Sequence, residues 1–234
     1  ISFTVTDVGT GIDVTNLGAV TVTLETDYYK VFINASKLLN DHIYVIEITL
    51  TKAYHESGVI RIYVNVQTIP TTGSASKTAE EMEWGLSSQI TITYSDSRTG
   101  SGVDADVASY KIANDTWDET YDLVRTDVGT YRLDIDTIGM GLAPGTYTIT
   151  VYLKKAHYEN QTIVITLTIN EVDTYAYAQP ANVTLYWDET TTTYAYWNRT
   201  RDWVFIQGSI SFTVTDVGTG IDVTNLGAVT VTLE

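Results

Sequence analysis

Apolar and polar residues alternate with a period of two over much of the chain, in short stretches. Within residues 147–153, Tyr147, Ile149, Val151 and Leu153 fall on one face of an extended segment, and Thr148, Thr150 and Tyr152 on the other. Residues 44–67 and 147–170 each read as two such runs joined by a polar turn, the pattern of a β-hairpin. Shifted by 103 residues the two segments align without a gap, sharing Tyr44/Tyr147, Ile46/Ile149, Leu50/Leu153, Lys52/Lys155, Ala53/Ala156, Glu56/Glu159, Ile60/Ile163 and Ile62/Ile165. Further upstream Tyr29 and Ile33 match Tyr131 and Ile135 after a one-residue shift. Turn residues such as Gly9-Thr10-Gly11, Gly100-Ser101-Gly102 and Pro144-Gly145 punctuate the runs, so the expected fold is an all-β sandwich. One short helical turn is predicted at Thr78-Ala79-Glu80-Glu81, where a capping-box spacing occurs.

A longer repeat overlies this one. Residues 1–25 and 210–234 are identical at all 25 positions, which sets a period of 209 residues containing two related units. Both copies begin and end inside alternating runs, so the segment reads as a window on a longer array of identical repeats; an engineered or natural terminal duplication is the alternative. On this reading residues 1–67 are the C-terminal part of a first domain, and residues 68–170 a complete second domain. Residues 171–234 are then the N-terminal part of the next copy of the first. Residues 1–67 alone are expected to leave an unpaired sheet edge and an open core, because their missing strands lie in 171–209 of the preceding copy. Short linkers, 68–80 and 170–182, each hold one proline. Two domains laid end to end then rise roughly 70–80 Å per period, from strands of ~7–9 residues at about 3.3 Å per residue plus loops.

The stretch Leu142-Ala143-Pro144-Gly145-Thr146-Tyr147 resembles the corner that opens the penultimate strand of immunoglobulin-like domains, where a tyrosine hydroxyl pins the turn. The first unit keeps Leu39 and Tyr44 but has His42 in place of Gly145. With the following hairpin, this pattern resembles the immunoglobulin-like repeats of very large archaeal cell-surface and filament-forming proteins. The likeness extends over 131–170, more loosely over 29–67, and elsewhere only in composition. It implies tandem immunoglobulin-like sandwiches, a structural role outside the cell and other copies of the same chain as partners. It implies little about chemistry, since such sandwiches host unrelated functions.

Composition narrows the function further. Thirteen Lys+Arg against 29 Asp+Glu give a net charge of −16, which argues against binding nucleic acid. No apolar run approaches the ~18 residues of a membrane helix. There is no cysteine, hence no disulfide and no thiolate chemistry. Catalytic motifs are missing: no G-x-S-x-G elbow, no phosphate loop, no H-E-x-x-H. His42, His55 and His157 lie at turns or strand ends without a ligand cluster, so zinc is not expected.

Three groups of residues remain as candidates for function. Five N-x-Ser/Thr sequons, at Asn34, Asn114, Asn160, Asn182 and Asn198, exceed the roughly two that chance would place, and point to a glycosylated surface; Thr-rich strands also generate sequons freely. An aromatic-rich stretch over 171–209 contains Tyr175, Tyr177, Tyr186, Trp187, Tyr194, Tyr196, Trp197 and Trp203. These rings are expected to form a contact surface to another copy, or else to stack sugars in an adhesin or carbohydrate-binding module on cell-surface glycans. Asp104, Asp106, Asp115 and Asp118 are weak candidates for Ca²⁺, without EF-hand spacing; no other cofactor or metal is expected. An extracellular structural repeat, not an enzyme, is the reading that uses most of these features.

Overall fold

The computed structural model describes residues 1–185, 189–204, 206, 212–215 and 217. Ile1–Asn170 form one compact unit and Glu171–Glu234 another. The second half of the first unit contains nine strands: β6 (Thr71–Ala75), β7 (Ala79–Glu83), β8 (Ser87–Asp96), β9 (Val107–Ala113), β10 (Asp118–Asp122), β11 (Val124–Asp127), β12 (Thr130–Asp136), β13 (Gly145–Lys154) and β14 (Gln161–Asn170). They make two sheets of order β10-β9-β13-β14-β7 and β11-β12-β8-β6. That is the strand order of an immunoglobulin-like sandwich.

The alternation read from the sequence decides which side chains enter this core. Tyr147, Ile149, Val151 and Leu153 of β13 are buried and meet Ile90, Ile92 and Leu133 of the facing sheet, whereas Thr148, Thr150 and Tyr152 point away. Inward tyrosines satisfy their hydroxyls on backbone. Tyr110 donates to the Asp134 carbonyl at 2.7 Å and Tyr94 to the Glu159 carbonyl at 2.8 Å. Burial pushes the Tyr110 hydroxyl up to about 12.

Residues 1–67 carry β1 (Ser2–Asp7), β2 (Val20–Leu24), β3 (Tyr29–Ile33), β4 (His42–Leu50) and β5 (Gly58–Val66), arranged as β1-β4-β5 and β2-β3. Their core is small, built on Val5, Val20, Tyr44, Ile46 and Ile48. The pair β4–β5 repeats β13–β14 in register: His42 faces Val66 as Gly145 faces Ile169, each residue displaced by 103. Counterparts of β6, β7 and β8 do not occur in 1–67. Among the described residues, neither the outer edge of β3 nor that of β5 is paired to a strand. Ile60, opposite the buried Ile48, is 47% exposed, whereas its counterpart Ile163 packs on the core of the complete sandwich.

Two expectations from sequence need correction. Residues 79–83 form no helical turn but the strand β7, which pairs in parallel with the end of β14, Ala79 facing Thr166 and Glu83 facing Asn170. The alanine and glutamates that suggest a helix give way to the backbone pairing that β14 offers at its edge, with Met82 buried beneath. Neither expected linker is free of structure, since β6 and the start of β7 occupy most of 68–80 and a strand, Thr174–Gln179, runs through 170–182. Only four residues, 67–70, separate β5 from β6. That short joint is tied on both sides. Asp41 accepts from the Thr68 amide at 3.1 Å and from its hydroxyl at 2.5 Å. These Thr68 bonds hold the Asp41 carboxyl below the ordinary carboxylate range. Asn40 donates to the Thr68 hydroxyl at 2.9 Å and shares a 2.9 Å hydrogen bond with Nδ1 of His157, in the β13–β14 turn. Ile69 and His157 bond through their backbones at 2.9 Å.

Both tyrosine corners form. The Tyr147 hydroxyl donates to the Ala143 carbonyl at 3.0 Å and accepts from its amide at 3.1 Å. Tyr44 makes the same pair of bonds to Leu39, five residues back, so His42 does not abolish the corner. Replacing Tyr147 by Phe removes both bonds to the Ala143 backbone, which lies at the exposed margin of the sandwich. The expected loss is about 1–2 kcal/mol of unfolding free energy, read by urea titration of the 234-residue chain, with the slope unchanged.

Candidate functional site

The second unit is organised around one antiparallel hairpin, β15 (Thr174–Gln179) and β16 (Tyr194–Arg199). Alternation sorts its side chains. Residues directly opposite share a face, so Tyr175, Tyr177, Tyr194, Tyr196 and Asn198 lie on one side, while Ala176, Ala178, Ala195 and Trp197 lie on the other. The tyrosine face is self-stacked. Tyr177 lies on Tyr196 with ring centres 4.9 Å apart and 16° between planes, and on Tyr175 at 5.5 Å; Trp203 meets Tyr175 edge-on at 6.1 Å. Trp197 is exposed on the opposite face, across from Ala176. Tyr186 and Trp187 lie outside the described residues. The expected single row of rings is thus two surfaces of different character.

The hairpin has a counterpart in the first unit. β15 faces β16 as β6 faces β8: Thr174 opposite Arg199 matches Thr71 opposite Asp96, with both members displaced by 103. Ala176 opposite Trp197 matches Gly73 opposite Tyr94, a small residue beneath an aromatic in each case. This correspondence escaped the sequence reading because the two hairpins share little beyond alternation. Only the 103-residue spacing, already visible in 44–67 and 147–170, could have pointed to it.

The sequon asparagines differ in setting. Asn160 is exposed directly before β14, and Asn182 is exposed as well. Asn114 is exposed and caps a turn, its Oδ1 accepting from the Thr116 amide at 3.0 Å and the Trp117 amide at 2.8 Å. It borders a shallow depression of about 390 Å³ floored by Thr146 and Thr148. Asn34 is half-buried and makes a similar turn with Ser36, at 3.1 Å to its amide. Asn198 is only 8% exposed, so its side chain has no room for a glycan in this fold.

The acidic candidates are engaged by the protein's own donors. Arg125 grips Asp104 with two bonds of 2.8 and 2.9 Å. That guanidinium, chiefly, holds the Asp104 carboxyl below the ordinary carboxylate range. Asp106 accepts from the Ala156 amide at 2.9 Å, and Asp118 pairs with Lys111. Asp115 is exposed. No group of three or more potential metal ligands occurs among the described residues. No helix among them is long and apolar enough to cross a membrane.

Taken together, the two sheets, their strand order and the tyrosine corners define an all-β protein of the immunoglobulin-like sandwich class. No protein-family model matches the chain, and no curated protein matches it in sequence. Among solved structures, it is similar to domains 4 and 5 of the S-layer protein SbsC, at 13% identity over 72% of this chain and 70% of that one, with a TM-score of 0.31. It is similar also to domains 1–6 of the surface layer protein SbsC, at 12% identity over 93% of this chain and 26% of that one, TM-score 0.34. Murine CRIg is a third, at 13% identity over 44% and 98%, TM-score 0.30.

One titratable pair links β1 to β4. Nδ1 of His42 lies 2.7 Å from Oδ2 of the buried Asp7, whose other oxygen accepts from the Gly9 amide at 2.9 Å. Burial opposes ionisation of Asp7, but the bonds from His42, Gly9 and Thr10 outweigh it and keep the carboxyl below its ordinary 3.8. A lowered carboxyl stabilises the fold above the unfolded value, and that stability is lost as pH falls through the lowered one. Asp7→Asn should therefore melt lower than the parent at neutral pH and lose less stability on acidification. Thermal melts from roughly pH 7 down to pH 2 check this; parallel curves for the two proteins would contradict it.

Proposed function

We propose that the chain is a structural subunit of an extracellular filament, stalk or surface layer built from identical tandem repeats, each 209-residue period holding two related β-sandwiches. The observation that carries this is the repeat at two levels: 25 identical residues at 1–25 and 210–234, and strand pairs that recur in register 103 residues apart. Identical units joined in one direction propagate an open polymer, and their stability is a sum of domain and neighbour terms. A net charge of −16 keeps such a polymer soluble and apart from its neighbours.

The adhesin reading is weaker on geometry. A sugar-stacking platform needs ring faces open to the ligand, whereas Tyr175, Tyr177 and Tyr196 lie against one another. In the filament reading the exposed Asn160, Asn114 and Asn182, with the half-buried Asn34, carry glycans on the outer surface, and Asn198 does not.

Electron microscopy of material from the native source tests the proposal. Filaments or layers with an axial repeat of roughly 70–80 Å per period are expected, from two sandwiches end to end. A monodisperse soluble protein would contradict it. Intact-mass analysis of the same material should show sugar on at least one of the three exposed sequons and none on Asn198.

A further inference from the structure

We propose that the hairpin β15–β16 of one copy completes the open sandwich of residues 1–67 in the next copy, and that the strand register of this union is the one seen between β8 and β12. This rests on the repeat reading above and deepens it by naming the partner surface and its pairing.

Three independent correspondences fix the geometry. In the complete sandwich, β12 is held between β11 and β8, with Arg132 opposite Thr91 and Leu133 opposite Ile90. In 1–67, β3 stands where β12 does: Tyr29, Val31 and Ile33 correspond to the buried Tyr131, Leu133 and Ile135, and Val31 and Ile33 already pack on the small core. The far edge of β3 has no strand on it among the described residues. The hairpin β15–β16 has the register of β6–β8 displaced by 103 in both strands. Finally, 174–199 precede the second copy of residues 1–25 at nearly the spacing by which 71–96 precede β9. Carrying β8 onto β16 and β12 onto β3 then places Lys30 opposite Tyr194, Tyr29 opposite Ala195 and Val31 opposite Thr193.

The side chains suit this union. The face of β16 turned to the new core is the one bearing Trp197, in the place of the fully buried Tyr94, and Trp197 is 40% exposed in the free hairpin. Opposite it stands Ala176, as Gly73 stands opposite Tyr94, where an added Cβ would come within 2.9 Å of Gln161. The residue of 1–67 in the place of Gln161 is Gly58, opposite Leu50 as Gln161 is opposite Leu153, and it has no side chain to meet the Ala176 methyl. The other strand edge follows the same rule. Leu185, 47% exposed, falls where the buried Met82 of β7 sits beside β14, so the stretch 182–185 is placed to pair in parallel with the end of β5. The tyrosine face of the hairpin remains outward, free for contacts along the filament. Whether the next copy is continuous in the polypeptide or a separate subunit, the same residues meet.

Cysteine cross-linking reads the register directly, because the parent chain contains no cysteine. Full-length chains carrying Lys30→Cys are mixed with chains carrying Tyr194→Cys and oxidised. Lys30 and Tyr194 are both exposed and outward-facing, so each single variant keeps the core intact. Disulfide-linked dimers of mixed composition are expected at roughly tenfold the yield of the pair Lys30→Cys with Ala195→Cys, whose β16 side chain points to the opposite face. The double variant K30C/Y194C should give a ladder of linked multimers. Equal yields from the matched and shifted pairs would overturn the register, and a monomeric internal disulfide in the double variant would overturn completion by a second copy. As a second measurement, Trp197→Ala should lower mixed-dimer yield several-fold, while Tyr194→Ala in an otherwise unlabelled competitor chain should compete as well as the parent. The cross-link and the filament fail separately. Filaments from the native source without a register-specific cross-link would sink this inference and leave the structural role standing, and a cross-link without filaments would do the reverse.

Discussion

A β-sandwich exists only when two sheets bury their inner faces against each other, and the two halves of residues 1–170 meet that requirement unequally. The row Tyr147, Ile149, Val151 and Leu153 is sealed because β8, β12 and their neighbours cover it. Its counterpart in the first domain, Tyr44, Ile46 and Ile48, is covered by only two short strands, β2 and β3. Both domains use the same hairpin in the same register, so the difference lies wholly in what stands opposite. The half-covered layer explains why Ile60, opposite Ile48 on the inward face, is 47% exposed while its counterpart Ile163 packs against the complete core.

The tyrosines serve this constraint in a second way. A sandwich core must admit large rings without stranding their hydroxyls, and Tyr44, Tyr94, Tyr110, Tyr131 and Tyr147 each solve this by reaching a backbone group at the sheet margin. A chain without disulfides thereby pins its corners and loops by side-chain-to-backbone bonds. The acidic residues do comparable work at the surface. Asp7, Asp41, Asp96 and Asp104 all hold loops through amide or cationic partners, which accounts for part of the strong negative charge in structural terms.

Legibility in the sequence followed the range of the interactions. The hairpins β4–β5 and β13–β14 were readable because alternation and a gapless repeat are local signals, and the Tyr147 corner was readable because its turn is five residues long. The strand β7 was not. Ala79, Glu80 and Glu81 favour a helix locally, and only the distant edge of β14 makes them a strand. Asn198 carries a sound sequon, yet its burial depends on a facing strand that no sequon pattern reports. The aromatic stretch was legible as a cluster of rings, but its division into a tyrosine face and an opposite face bearing Trp197 follows from cross-strand register. Asn40 and His157 showed no motif at all, because the joint they form spans 117 residues of sequence.

The parallel pairing of β7 with the last strand of its domain has a mechanical meaning. The chain enters through β6, crosses to β7 and leaves at the end of β14, and β7 and β14 run the same way over five residue pairs. Tension applied between the start of β7 and the end of β14 therefore pulls the two strands past each other and loads all of their hydrogen bonds at once, in shear. An antiparallel hairpin pulled at its open end would release its bonds one after another. With the neighbouring joint clamped by Thr68 and His157, the force reaches this patch with little slack to absorb it. The sandwich of 68–170 then behaves as a stiff link, which resists stretching until a whole strand lets go.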